Sequence, residues 1–275
     1  MNNKPLFFLH IPRTGGTTVD KIFSNNIHSN NILSIYKDFE YKKYREISSN
    51  NLVNMKYITG HLLLSNYNPF MFYNIEVDVF TFLRNPVSRL ISEYIFYKTW
   101  KDNHLYKIIN ENNISFSEYL LSNNNILKYR GKNFMTRCIS GKSFIFNKYP
   151  YSALAVAKKN IDKKFKFIGS LEKFAESIFL LGKIFNLSNI FFEQNNKLRP
   201  DLKNCISDND KDIALELNKA DSELYEFAVD IFQERIDKLD NKTIEDIKKF
   251  ISKNIKNTRY SSCKENDEIF LPKKY

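Results

Sequence analysis

Apolar residues come in short bursts along the chain, and the spacing inside each burst decides what it predicts. Leu6 to Ile11 is almost continuously apolar, the pattern of a strand covered on both faces, and it breaks into Pro12-Arg13-Thr14-Gly15-Gly16-Thr17-Thr18. From Thr17 to Phe23 the apolar positions fall at Val19, Ile22 and Phe23, a helical spacing that presses one face onto a sheet. Tyr57–Leu62, Glu76–Leu83, Phe165–Gly169 and Asn189–Glu193 repeat the strand pattern. Asn85 as N-cap and Pro86 as first helical residue predict a helix directly after Leu83, running on through Phe96, Tyr97 and Trp100. Further helices are predicted from Leu171 to about Phe185, from Leu215 to Ile236 as one or two pieces, and from Thr243 to Asn254. Residues 24–56 show no firm period and read as loop and irregular helix.

Strands alternating with helices, without an internal repeat or a Gly/Ser/Pro linker, predict one α/β domain over residues 1–275 with a mainly parallel sheet flanked by helices. The 43% hydrophobic and 15% aromatic content is ample for its core. A net charge of +11 favours an anionic partner, but Lys is abundant nearly everywhere. Nucleic acid is not the expected partner, because no recognition motif is present and the aromatics fall at core-like spacings. Cys138, Cys205 and Cys263 are odd in number and widely spaced, which indicates neither a disulfide framework nor a zinc site. That usage fits a reducing compartment. With the first strand close behind Met1 and no apolar run of membrane-spanning length, a soluble cytoplasmic protein is expected.

The chemistry concentrates after the strands. Gly15 and Gly16 can adopt the conformations that aim backbone N–H groups inward, and the helix start behind them adds partial positive charge. Arg13 adds a full charge, and Thr14, Thr17 and Thr18 bring hydroxyls, a set that suits a tetrahedral phosphate or sulfate. The same residues also make a plain strand-to-helix turn. A Walker A loop is absent: no Gly precedes Gly15 at the required distance and no Lys follows Gly16. Arg84 ends another strand, with Ser92 about two turns into the next helix, and ligands of open α/β sheets bind at such strand ends. His61, after Gly60, is open to two readings, a catalytic imidazole or one satisfied by a backbone carbonyl. His10 inside the first strand, and His28 and His104 in polar stretches, carry no functional expectation. Gln194 to Pro200 is a further cationic loop.

Phe8 to Thr18 resembles the 5′-phosphosulfate loop of carbohydrate sulfotransferases, and Phe82 to Glu93 resembles their 3′-phosphate segment. The likeness is closest to heparan-sulfate 6-O-sulfotransferases, one helix of which Ser222 to Gln233 also resembles; the matching blocks span residues 6–236, leaving 237–275 as a C-terminal helix and tail. The resemblance implies a three-layer, P-loop-like fold that takes 3′-phosphoadenosine 5′-phosphosulfate (PAPS), uses no metal, and passes the sulfuryl group to a hydroxyl acceptor, a glycan first among them. It implies that Arg13, Thr14, Gly15, Gly16, Thr17 and Thr18 hold the 5′-phosphosulfate, and Arg84 with Ser92 the 3′-phosphate. Asn196 and Arg199 resemble an Asn-x-Thr-Arg element of the cofactor-covering loop, although Leu198 stands where that element has Thr. His61 takes the place of the general base. Arg13, where relatives commonly carry Lys, implies an electrostatic stabiliser rather than a proton donor. The competing class is a P-loop-like kinase or nucleotide-binding regulatory protein, against which the missing Walker Lys and the missing acidic residue after the second strand argue.

Overall fold

The computed structural model describes residues 4–67, 73–124, 126–127, 131–141, 150–192 and 206–262. Five strands form one all-parallel sheet: β1 (Leu6–Leu9), β2 (Ile32–Ile35), β3 (Tyr57–Gly60), β4 (Asp78–Leu83) and β5 (Phe165–Ser170), in the order β2-β3-β1-β4-β5. The chain leaves β1 outward to β2, returns to β3 beside β1, and then crosses to β4 on the other side. Loops after β1, β3 and β4 therefore gather at one end of the sheet, since Leu9 pairs with both Gly60 and Thr81.

The strands are apolar on both faces because both are covered. Phe7 and Leu9 of β1, Ile58, Val79 and Ile168 point to one side. There they meet α2 (Asp38–Arg45), α3 (Ser49–Asn54), α7 (Phe134–Ser140), α8 (Pro150–Lys164) and α11 (Lys219–Asp237) through Tyr44, Leu52, Met135, Ala157 and Leu224. Phe8, Tyr57, Phe80, Phe82 and Phe167 point the other way, onto α1 (Gly16–Ser24), α9 (Phe174–Phe185) and α12 (Asn241–Ser262). Phe8 lies flat on Phe80 with ring centroids 4.8 Å apart, both fully buried. Each such ring stabilises the fold by roughly 1.5–3 kcal/mol through burial. A third apolar cluster joins α4 (Pro86–Thr99), α5 (Tyr106–Glu111), α6 (Phe116–Leu121) and α10 (Asp208–Glu216). The three-layer expectation is met. Among the described residues no helix is long and apolar enough to cross a membrane.

Three expectations need correction. Residues 24–56 are not only loop and irregular helix: Ile32–Ile35 is the outer strand β2, paired in register with β3, and half-exposed along most of its length, so it lacks the continuous apolar signal. Asn189–Phe192 is not a strand. Its apolar residues pack on helices instead, with the Ile190 side chain 2.9 Å from where a Cβ on Gly182 would stand and the Phe192 N–H donating to Asn254 Oδ1 at 3.2 Å. Glu193 lies outside the described residues. His10 is not inside the first strand, which ends at Leu9; it stands just beyond its carboxyl end.

α4 begins as expected, with Pro86 first and the Asn85 side chain accepting from the Ser88 N–H at 3.0 Å. α9 starts at Phe174, three residues later than the apolar spacing indicates, because Leu171 N–H still bonds back to the Leu83 carbonyl at 2.8 Å.

Candidate active site

β1 delivers the chain into Arg13, Gly15 and Gly16 in a tightly determined turn. Arg13 has φ 70 and Gly15 φ 89, both left-handed, and Gly15 is the N-cap of α1 without any side-chain cap. A non-glycine residue held there costs about 1–3 kcal/mol and persists only when its surroundings fix it. They do: Arg84 Nη1 donates to the Arg13 carbonyl at 3.2 Å, and Arg13 Nε donates to Ser92 Oγ at 3.1 Å. The Arg13 guanidinium also lies over the Phe96 ring, 4.7 Å from its centroid. Glycine is required at both following positions, since a Cβ on Gly15 would stand 2.8 Å from Leu171 Cδ1 and one on Gly16 only 1.9 Å from His10 Nε2.

The N–H groups of Gly16 and Thr17 open α1 and have no intrahelical acceptor. Thr17 is exposed and Thr18 half-buried, and neither hydroxyl has a partner among the described residues. Thr14 behaves otherwise: it is buried and its hydroxyl donates to the Ile11 carbonyl at 2.7 Å, so it shapes the turn from inside.

β4 places Arg84, half-buried, beside this turn, and α4 places Ser92 under it. Burial, then the neighbouring Arg84, pulls the Arg13 pKa down, with Glu93 and Tyr97 opposing. Arg84 is likewise pulled down by burial first, with Glu172 opposing. Two crowded, partly desolvated guanidiniums favour an anion between them. Arg13, expected at the 5′ end of the ligand, thus reaches the serine expected at its 3′ end, so in this structure the two expected subsites share one side chain. Beneath them Arg89, fully buried, donates from Nη1 to Glu93 Oε2 at 2.5 Å, and Tyr119 donates to Glu93 Oε1 at 2.5 Å. This pair anchors the face of α4 that carries Ser92.

β3 places His61 next to the same turn. His61 is exposed, and its ring meets the buried His10 ring edge-on at 4.8 Å and the Tyr36 ring at 4.9 Å. Partial desolvation, then His10, lowers its pKa, while Asp20 pulls it up. It is therefore a neutral imidazole near neutral pH. Asp20 and Tyr36 were not marked by any sequence motif, and His10, inside the Phe8–Thr18 stretch, was given no role. The one available signal was their placement at the ends of β1, at α1 and after β2, which needs the strand order to be known.

Arg13, Thr14, Gly15, Gly16, Thr17, Thr18, Arg84, Ser92 and His61 all lie at this end of the sheet. Asn196 and Arg199 lie outside the described residues. A surface cavity of about 430 Å³ lies elsewhere, lined by Leu33, Lys43, Tyr44 and Ser48 among others, and contains none of the expected site residues.

A profile of the Sulfotransferase family matches residues 2–228. The chain belongs to the sulfotransferase family. Sulfuryl transfer is the activity that this family supports. Among solved structures it is similar to the mouse sulfotransferase SULT7A1 complexed with PAP, at 10% identity and a TM-score of 0.38, over 74% of this chain and 62% of that one. The chain thus spans less than two thirds of that protein's length. A search of curated proteins gives no match.

Proposed function

We propose that this sulfotransferase uses PAPS as its donor and a carbohydrate hydroxyl as its acceptor. The observation that carries the reading is the convergence of Arg13, Arg84 and Ser92 on the left-handed turn that opens α1. The free N–H groups of Gly16 and Thr17 and the hydroxyls of Thr17 and Thr18 are the donors for the 5′-phosphosulfate. Arg84 and Ser92 are those for the 3′-phosphate. When bound, the donor supplies a sulfuryl group whose bond to the 5′-phosphate breaks as the bond to the acceptor oxygen forms.

The protein's own residues account for the rest. His61, neutral and open to solvent, takes the proton of the acceptor hydroxyl, and Arg13 meets the negative charge that remains on the phosphate. Arg13 keeps its own protons throughout, as a guanidinium does. The carbohydrate acceptor is supported by the resemblance of residues 8–18 and 82–93 to carbohydrate sulfotransferases. Mass spectrometry of products from a panel of glycan, lipid, small-metabolite and peptide hydroxyls tests it. Sulfation of a glycan is the expected result, and transfer only to another class would reject the carbohydrate assignment.

A further inference from the structure

A polar cluster behind the two imidazoles is not used by the mechanism above. The Tyr36 hydroxyl lies against Asp20 Oδ2, His10 Nδ1 at 2.7 Å and Thr59 Oγ1 at 2.9 Å, while Tyr57 donates to Asp20 Oδ1 at 2.7 Å. A phenol has one proton to give and two lone pairs to accept with. Burial, then Asp20, holds Tyr36 far above the ordinary tyrosine range, so the proton stays on. Burial raises the Asp20 pKa, opposed by hydrogen bonds from Tyr36, Tyr57 and Thr59, and both of its oxygens accept from tyrosine hydroxyls, so the Tyr36 proton goes to Asp20. His10 must then donate from Nδ1 to Tyr36, which fixes the tautomer and leaves the Nε2 lone pair facing Gly16, where an added Cβ would touch it. Burial, then Arg13, pushes the His10 pKa down to about 3, so its 3.6 Å approach to Asp20 is not an ion pair.

We infer that Asp20, held by Tyr36 and Tyr57, is the positioning carboxylate of the imidazole pair. Through Tyr36 it locks the tautomer and ring of His10; His10 supports the ring of His61 edge-on; and the carboxylate charge favours proton uptake by His61. The inference rests on the reading of His61 as the base. The groups around it are His10 after β1, Asp20 on α1, Tyr36 after β2 and Thr59 in β3, with Arg13 acting on His10 and Glu40 on Tyr36. Of these, Asp20 is the one that draws a proton toward His61.

The chain has 4 histidines, so nitrogen-15 spectra of the histidine-labelled full-length protein can resolve each ring. In the wild type His10 should carry its proton on Nδ1. In Asp20→Asn, which keeps one acceptor oxygen for the two tyrosine hydroxyls, that preference should weaken, and the titration midpoint of His61 should fall by roughly half a unit to one unit, because a nearby negative charge is gone. Tyr36→Phe, at the half-exposed rim, should also release the His10 tautomer while moving the His61 midpoint less. An Nε2–H tautomer of His10 in the wild type, or an unmoved His61 midpoint in Asp20→Asn, overturns the inference. These spectra do not depend on turnover: if they behave as expected while His61→Ala still transfers sulfate, the positioning role stands and the assignment of the base falls.

Discussion

Arg13 Nε donates to Ser92 Oγ at 3.1 Å, although the two residues are 79 positions apart and belong to different strand-helix units. The bond ties the glycine turn after β1 to the helix after β4 and so joins the two segments proposed to hold the donor. Ser92→Ala removes only the hydroxyl of this pair. It should weaken 3′-phosphoadenosine 5′-phosphate about 5- to 10-fold, the net size of an ordinary hydrogen bond, and leave the melting temperature nearly unchanged. Calorimetric titration checks it; equal loss for adenosine 5′-phosphosulfate would remove Ser92 from the 3′ subsite.

Arg84→Ala should cost more, about 10- to 100-fold in affinity for 3′-phosphoadenosine 5′-phosphate, because a charge-assisted contact is lost. Arg84 also holds the Arg13 carbonyl, so adenosine 5′-phosphosulfate should weaken slightly as well. A variant that binds both ligands as the wild type does would place the 3′-phosphate elsewhere.

The first strand and its turn, β4 with Asn85 and Pro86, and the Gly-His step after β3 were legible because two-sided burial writes continuous apolar runs and turns demand Gly, Asn and Pro. Ile32–Ile35 escaped because an outer strand is covered less, and Asn189–Phe192 misled because residues packing on α9 and α12 are as apolar as residues in a sheet. The Asp20–Tyr36–His10 chain was illegible for another reason. Its members are ordinary residues in sequence, and only the crossing of β3 back beside β1 brings Thr59 and His61 to them.

Gly16→Ala should displace the His10 ring, since the added carbon would stand 1.9 Å from Nε2. We expect overpacking to cost roughly 1–3 kcal/mol of stability and transfer to be lost. Denaturant unfolding and activity assays check this; wild-type turnover in Gly16→Ala would show that the ring is free to move.

His61→Ala should bind 3′-phosphoadenosine 5′-phosphate normally and transfer sulfate about 10²–10⁴-fold more slowly. Because the folded pKa of His61 lies below the ordinary histidine value, the wild-type rate should be flat around neutrality and fall only as pH drops below about 6.5. A pH–rate profile with an acid limb at or above that value would point to a different base.

His10 is neutral when buried and titrates normally when unfolded, so the unfolded chain binds more protons between pH 6.5 and about 3. Its contribution to stability is therefore present above pH 6.5 and lost as pH falls, at up to about 1.4 kcal/mol per unit. Denaturant titrations in that window should show a shallower pH slope for His10→Gln than for the wild type. Identical slopes would mean that His10 is accessible to protons in the folded state.

The most direct measurement is thermal stabilisation by 3′-phosphoadenosine 5′-phosphate set against ATP with Mg²⁺. A ligand that binds only the folded protein at a hundred times its dissociation constant adds about 2.7 kcal/mol, enough to move the melting point by several degrees. The site built from Arg13, Gly16, Arg84 and Ser92 predicts that shift with 3′-phosphoadenosine 5′-phosphate, little with ATP and Mg²⁺, and a shift cut to about half or less in Arg84→Ala. Stabilisation by ATP and Mg²⁺ with none by 3′-phosphoadenosine 5′-phosphate would contradict it.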